Sequence, residues 1–140
     1  MKAIRTAIAF MIVGTLCIPG SGHAQKVDFG KSEYDSACAA CHGKLGKGDG
    51  PYGGVINTPI SDLTTLTKKN NGVFPFQWVY ELVDGRQAVK AHGAKDMPIW
   101  GNRYLAIAGE HYFDVPYDPE AVVRTRILAL TEYVSRLQVK

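Results

Sequence analysis

The hexapeptide CAACHG, which runs from Cys38 to Gly43, brings two thiols and an imidazole close together in the chain. Three kinds of chemistry use such a group. Two thiols can form a redox-active disulfide, thiolates and imidazole can bind zinc, and the C-x-x-C-H pattern can attach a haem covalently. The choice depends on the elements that carry the motif and on what the rest of the chain supplies.

The N-terminal residues have the pattern of a cleavable export signal. Lys2 and Arg5 form a basic start, and an apolar run over residues 7–18 follows. This run is too short to cross a bilayer, which takes about 20 apolar residues, and helix breakers and small residues come after it. We therefore predict a cleaved signal peptide over residues 1–24 and one domain over residues 25–140 in the periplasm. An uncleaved membrane anchor is the alternative interpretation.

The composition after cleavage limits the partners. Removing Lys2 and Arg5 from the 16 Lys and Arg leaves 14, against 13 Asp and Glu, so the net charge is +1. No basic patch alternates with aromatic residues, so nucleic acid is not an expected partner, and no later segment is apolar enough to span a membrane. Cys17 leaves with the signal. Cys38 and Cys41 are then the remaining thiols, and an oxidising compartment would normally pair them.

Hydrophobic periodicity predicts a small all-α protein. Asp28 is a candidate N-cap, and Gly30, Tyr34 and Cys41 share one face of a first helix that ends at the motif. Residues 43–62 are rich in glycine and predict a loop.

Three further helices are predicted downstream of this loop. A short polar helix is expected within residues 61–72, an amphipathic helix within residues 75–85, and a long closing helix from residue 118 onward. Residues 85–101 are predicted to be irregular, and residues 102–117 have no clear period.

The position of the motif favours haem attachment over the two alternatives. A redox dithiol lies at the start of a helix, where the helix N-terminus lowers the thiol pKa, whereas Cys38 and Cys41 come at a helix end. A structural zinc site needs four ligands, and Cys38, Cys41 and His42 supply three. In a haem c site both thiols become thioethers by adding to the vinyl groups of the porphyrin, and the histidine binds the iron.

A second axial ligand for iron has few candidates. Met97 is the only methionine after residue 24, and His92 and His111 are the histidine alternatives. Met97 lies outside every apolar stripe, and Pro98 follows it and stiffens the backbone. We favour Met97 over His92, and we interpret His111 as a surface or packed histidine.

These features resemble the class I, mitochondrial-like c-type cytochromes, and specifically their small monohaem bacterial members. Gly30 and Tyr34 before the motif are similar to the family's first helix, Met97-Pro98 to its methionine loop, and residues 130–137 to its closing helix. The resemblance implies a small cytochrome c fold, all-α, with three to five helices wrapped around one covalently bound haem c.

The resemblance also implies the main site residues. Cys38 and Cys41 would be the covalent thioether attachments, and His42 and Met97 the two axial ligands of the haem iron. With both axial positions filled, iron has no open position for a substrate, so we predict an electron carrier and not an enzyme. Its partners would be a redox protein donor and acceptor, such as a dehydrogenase, an oxidase or a reductase. We expect a monomer unless the chain is bound to such a partner.

Secondary contacts with the haem follow from the same resemblance. It implies that the carbonyl of Pro51 accepts a hydrogen bond from His42, with Pro59 as the rival for that role. It also makes Trp100 or Tyr52 a candidate to bond a haem propionate, although simple packing of Trp100 against the haem edge is an equal alternative. The expected wall residues are Tyr34, Phe74, Phe76, Trp78, Val79, Ile99, Trp100, Ile127 and Leu130.

Two other functions stay open. A haem subunit bound stably to one dehydrogenase or oxidase would use residues 102–117 as its interface, since this segment is longer than a minimal family member needs. The same segment could instead cover a haem edge. An enzyme or gas sensor would need a labile Met97 to free a position on iron.

Overall fold

The computed structural model describes residues 27–55, 59–86, 97–111 and 117–139. Every regular element within these ranges is helical and none is a strand, which confirms the predicted all-α class. The predicted signal peptide over residues 1–24 lies outside them.

The described chain contains six α-helices and two short 3-10 helices. In chain order they are α1 (Phe29–Ala37), α2 (Ala39–His42), a 3-10 helix (Pro51–Gly54), a second 3-10 helix (Leu63–Thr65), α3 (Leu66–Lys69), α4 (Phe76–Asp84), α5 (Trp100–His111) and α6 (Pro119–Arg136). Six α-helices exceed the three to five that the resemblance implied. The first predicted helix is interrupted at Cys38, which divides it into α1 and α2, and α3 is a single turn.

Helix α1 begins as the sequence predicted and crosses α6 closely. The side chain of Asp28 accepts a hydrogen bond from the backbone N–H of Lys31 at 3.0 Å, which caps the first turn. A Cβ atom at Gly30 would collide with the backbone of Ala129 in α6. Tyr34, one turn later, packs against Tyr133 of α6 with ring centroids 5.2 Å apart. The glycine therefore sets how near the two helices come.

Helices α4 and α6 also follow their sequence signals. Pro75 precedes the first turn of α4, and Gly85 ends it in the left-handed conformation with φ 66°. The side chain of Asp118 accepts from the backbone N–H of Glu120 at the start of α6, where Pro119 occupies the first turn.

Helix α5 was not predicted. The sequence indicated irregular chain to Gly101 and no clear period afterwards, yet a helix begins at Trp100. Its buried side chains, Trp100, Tyr104 and Ala108, recur every four residues and face the core. Mixed polar and small residues between them weaken the periodic signal, so packing against α4 and α6 decides the conformation.

The core lies where α1, α4, α5 and α6 meet, and α6 contacts each of the other three. Its most buried apolar side chains are Tyr34, Val79, Val83, Tyr104, Val123, Ile127, Leu130 and Val134. Among the described helices, none combines the length and apolar character that crossing a lipid bilayer requires.

Candidate functional site

An apolar cavity of about 200 Å³ is lined by all four residues predicted to hold a haem. Cys38, Cys41 and His42 line one side of it, and Met97 lines it from a distant part of the sequence. The rest of the lining comes mainly from the loop before α3, from α4 and from α6. The fold thus brings together two thiols, an imidazole and a thioether in a largely apolar space.

The two thiols are free and lie at the junction of α1 and α2. Cys38 is buried, Cys41 is half-buried, and no disulfide joins them. Burial chiefly, with smaller contributions from the neighbouring Cys41 and Glu33, raises the pKa of the Cys38 thiol to about 12. A redox dithiol needs a thiol whose pKa is lowered, so this environment disfavours the oxidoreductase interpretation.

His42 is oriented by a backbone carbonyl. Its Nδ1 lies 3.0 Å from the carbonyl oxygen of Ser61, which leaves Nε2 as the nitrogen available to a ligand. Burial lowers the pKa of His42, while the hydrogen bond to Ser61 acts in the opposite direction. The neutral imidazole that results is the form that binds a metal, with its tautomer set by the Ser61 carbonyl.

The acceptor of the His42 hydrogen bond differs from the sequence prediction. The prediction had named the carbonyl of Pro51, with Pro59 as the rival, whereas the structure has the carbonyl of Ser61. Pro51 begins an exposed 3-10 helix and does not line the cavity, whereas Pro59 does. The glycine-rich loop folds back so that the residues just after Pro59 reach the imidazole, and Ser61 supplies the acceptor.

Met97 lines the cavity together with residues of the start of α5. It is half-buried and packs against the core, and Pro98 and Trp100 line the cavity beside it. Trp100 is 9% exposed and its ring lies 6.1 Å from that of Tyr104. The alternative ligand His92 and the side chain of His111 lie outside the described part of the chain.

The apolar walls were predicted only in part. Of the expected wall residues, Trp78, Val79, Trp100 and Leu130 line the cavity. Tyr34 and Ile127 instead lie in the core, and Phe76 and Ile99 are exposed. The prediction missed Ala37 and six larger apolar lining residues, Ile60, Leu63, Leu66, Leu82, Val83 and Val134. The last three of these six belong to the apolar stripes of α4 and α6 and could have been found there. The first three of the six lie in a loop and a short polar segment without any such signal.

The donor set fits the haem c group that the resemblance implies. Two unpaired thiols on adjacent turns could form thioethers, and an imidazole and a thioether could bind iron from two sides. A zinc site would need four ligands. Within the described ranges, no group of three or more His, Cys, Asp or Glu side chains is arranged to hold a metal ion.

No protein-family model, curated protein or solved structure matches this chain. Its function is therefore inferred from the residues of the cavity and from the sequence resemblance.

Proposed function

We propose that this protein is a periplasmic electron-transfer protein that carries one electron on a single, covalently bound haem c. The observation that supports the proposal most strongly is the common cavity of Cys38, Cys41, His42 and Met97. The sequence predicts these four residues as the haem attachments and iron ligands. Met97 is separated from the other three in the chain by the glycine-rich loop, α3 and α4.

The chain's own residues would each have a defined task. Cys38 and Cys41 would hold the group through two thioether bonds, and His42 would present Nε2 because Ser61 fixes its Nδ1. Met97 would supply a thioether sulfur, and the apolar walls would keep water away from it. When bound, the haem supplies a reversible one-electron couple of its iron.

Electron transfer is favoured over catalysis because both axial positions of iron would be filled by protein side chains. A site closed by His42 and Met97 has no position left for oxygen, peroxide or another small ligand. A thioether also stabilises ferrous iron relative to a second imidazole, which favours a comparatively high reduction potential. The chain is then a carrier between a redox donor and an acceptor.

Haem attachment is tested by purifying the protein from cells that export it. A pyridine haemochrome spectrum and an intact mass should give one covalent haem on a chain that begins after residue 24. Replacing Cys38 and Cys41 together by alanine should leave no haem in the protein after acidified acetone extraction. Cys17→Ala is the matched control and should change nothing, because Cys17 belongs to the predicted signal. Retention of covalent haem by the double variant would refute the thioether assignment.

Two further measurements separate the alternative functions. Gel filtration of a native extract should give a species of monomer size, and a stable co-eluting enzyme would favour the fixed-subunit function. Ferrous protein at neutral pH should bind carbon monoxide slowly, because Met97 occupies the sixth position. Rapid binding would favour the enzyme or gas-sensor function instead.

A further inference from the structure

The end of α4 and the start of α5 meet close to Met97 in the chain. Gly85, the left-handed residue that ends α4, packs against Ile99, and a Cβ atom built on Gly85 would lie 3.3 Å from the Ile99 side chain. Residues 87–96, which connect the two elements, lie outside the described residues. Met97 comes two residues before Ile99, so its place at the cavity depends on how this junction is held.

A three-residue ionic network lies at the same junction. The Nε of Arg86 donates to Asp84 Oδ1 at 2.6 Å, and its Nη1 donates to the two carboxylate oxygens of Glu120 at 2.7 and 2.9 Å. Asp84 belongs to α4 and Glu120 to the first turn of α6. The side chain of Asp84 is 13% exposed and that of Arg86 is 24% exposed, whereas that of Glu120 is 42% exposed, so the Asp84–Arg86 pair is the part of the network that is shielded from solvent. We call Asp84, Arg86 and Glu120 the Arg86 clamp.

The first turn of α5 rests on this clamp. A Cβ atom at Gly101 would collide with the Asp84 carboxylate and would lie 2.7 Å from Arg86 Nε and from the Asp84 carbonyl oxygen. Alanine is a better helix former than glycine, so helix propensity does not explain this residue. Close approach of the clamp to the α5 backbone does explain it.

We propose that the Arg86 clamp is a positioning device for Met97, holding residues 97–101 against the end of α4 so that the thioether stays at the cavity. This inference rests on the proposed haem function and adds to it a cause for ligand retention. Arg86 is not one of the residues that line the cavity; it acts through Asp84, Gly101 and the α5 start. Removing its guanidinium would leave the shielded Asp84 carboxylate without its cation, and the junction would open to hydrate it.

The test compares ferric holoprotein variants by two signals during heating. The weak red absorption band expected of methionine-bound ferric iron reports Met97, and far-UV circular dichroism reports total helix. In Arg86→Gln we expect the band to disappear at temperatures where helix content is still intact, with the dissociation equilibrium of Met97 raised by about tenfold or more. Arg86→Lys should be intermediate, because an ammonium keeps the charge but loses the forked geometry. Arg124→Gln, which removes an exposed pair with Asp118, is the control and should match the unmodified protein.

A pair of glycine variants in α5 tests the same junction without removing a charge. Gly101→Ala should lower the temperature at which the band is lost, because the added methyl group pushes α5 off the clamp. Gly109 has open space around it, so Gly109→Ala should leave that temperature unchanged. Both substitutions put alanine into the same helix, so helix propensity cancels in the comparison.

The outcomes separate this inference from the proposed function. If the unmodified protein has no covalent haem or no methionine band, the proposed function fails. If that protein has both, but Arg86→Gln keeps the band as long as the unmodified protein does, the clamp does not position Met97. Simultaneous loss of band and helix content in Arg86→Gln and Gly101→Ala would also overturn the inference, because it would mean that the network serves only general stability.

Discussion

Met97 is the residue on which the proposed electron-transfer role most depends. Replacing it by alanine should remove the red band of the ferric protein and lower the reduction potential, because water or another protein ligand stabilises ferrous iron less than a thioether does. Absorption spectroscopy and a redox titration measure the two effects. A band that is present in the unmodified protein and survives Met97→Ala would show that another residue binds iron.

Tyr34 holds the end of the CAACHG motif through one hydrogen bond. Its hydroxyl donates to the carbonyl of Gly43 at 2.7 Å, and the side chain is fully buried. Tyr34→Phe would leave that carbonyl without its partner, and we expect a loss of about 1–2 kcal/mol in the free energy of unfolding. Urea denaturation of the holoprotein measures it. An unchanged free energy of unfolding in Tyr34→Phe would contradict the role given to the Gly43 bond.

Some residues of the site could be predicted from the sequence and others could not. Cys38, Cys41 and His42 form a local motif, so their proximity is a property of one helical turn. The Ser61 carbonyl was not found, because its contact with His42 depends on how a long glycine-rich loop returns to the motif. Proline positions in that loop were a poor guide, since Pro51 lies away from the cavity.

At the level of elements, the crossing of α1 and α6 is the contact most sensitive to size. A side chain at Gly30 would meet the carbonyl of Ala129, and backbone atoms cannot move aside as a flexible side chain can. We expect Gly30→Ala to cost about 1–3 kcal/mol of unfolding free energy despite the better helix propensity of alanine. Ser32→Ala, an exposed position in the same helix, should change stability by less than about 0.5 kcal/mol. Equal stability of the two variants would show that the helices can separate without penalty.

Helix ends were predicted more reliably than helix existence. Asp28, Gly85 and Asp118 all act as the caps that their types and positions indicated. Helix α5 was missed because its apolar residues are few and widely spaced, and its stability comes from burial of Trp100 and Tyr104 against neighbouring helices. Capping is a local interaction, whereas that burial requires the assembled core.

Across the whole molecule, the basic side chains are unevenly distributed. Lys44, Lys47, Lys68 and Lys69 take part in none of the ion pairs found among the described residues. Hydrogen bonds from Thr64 chiefly lower the pKa of Asp62, and Lys69 and Lys47 lower it further, so both ammonium groups lie near the Asp62 carboxylate. Residues 44–69, which include the loop that orients His42, thus carry these four lysines against the two carboxylates of Asp49 and Asp62, and their surface is locally basic.

This surface predicts how charge affects electron exchange. Oxidation of the ferrous protein by hexacyanoferrate, an anion, should slow as salt is added, and Lys69→Glu should slow it by about twofold to fivefold at low ionic strength. Lys31→Glu makes the same change in net charge on α1, where Lys31 pairs with Asp35, and should have a smaller effect. Stopped-flow measurement of the oxidation rate across a range of salt concentrations compares the two variants. Equal effects of the two variants would mean that net charge alone governs the encounter.

The amino-acid sequence by itself determined the helical class and the main helix caps, and it supplied the candidate side chains for a haem site, because periodicity, capping and the CAACHG spacing are short-range properties. Tertiary structure decided that Met97 shares a cavity with His42, that Ser61 supplies the carbonyl at Nδ1, and that Arg86 joins α4 to α6 beside Gly101. Each of these contacts joins residues distant in the chain. Their geometry depends on how loops and helices pack once the core has formed, and no local pattern encodes it.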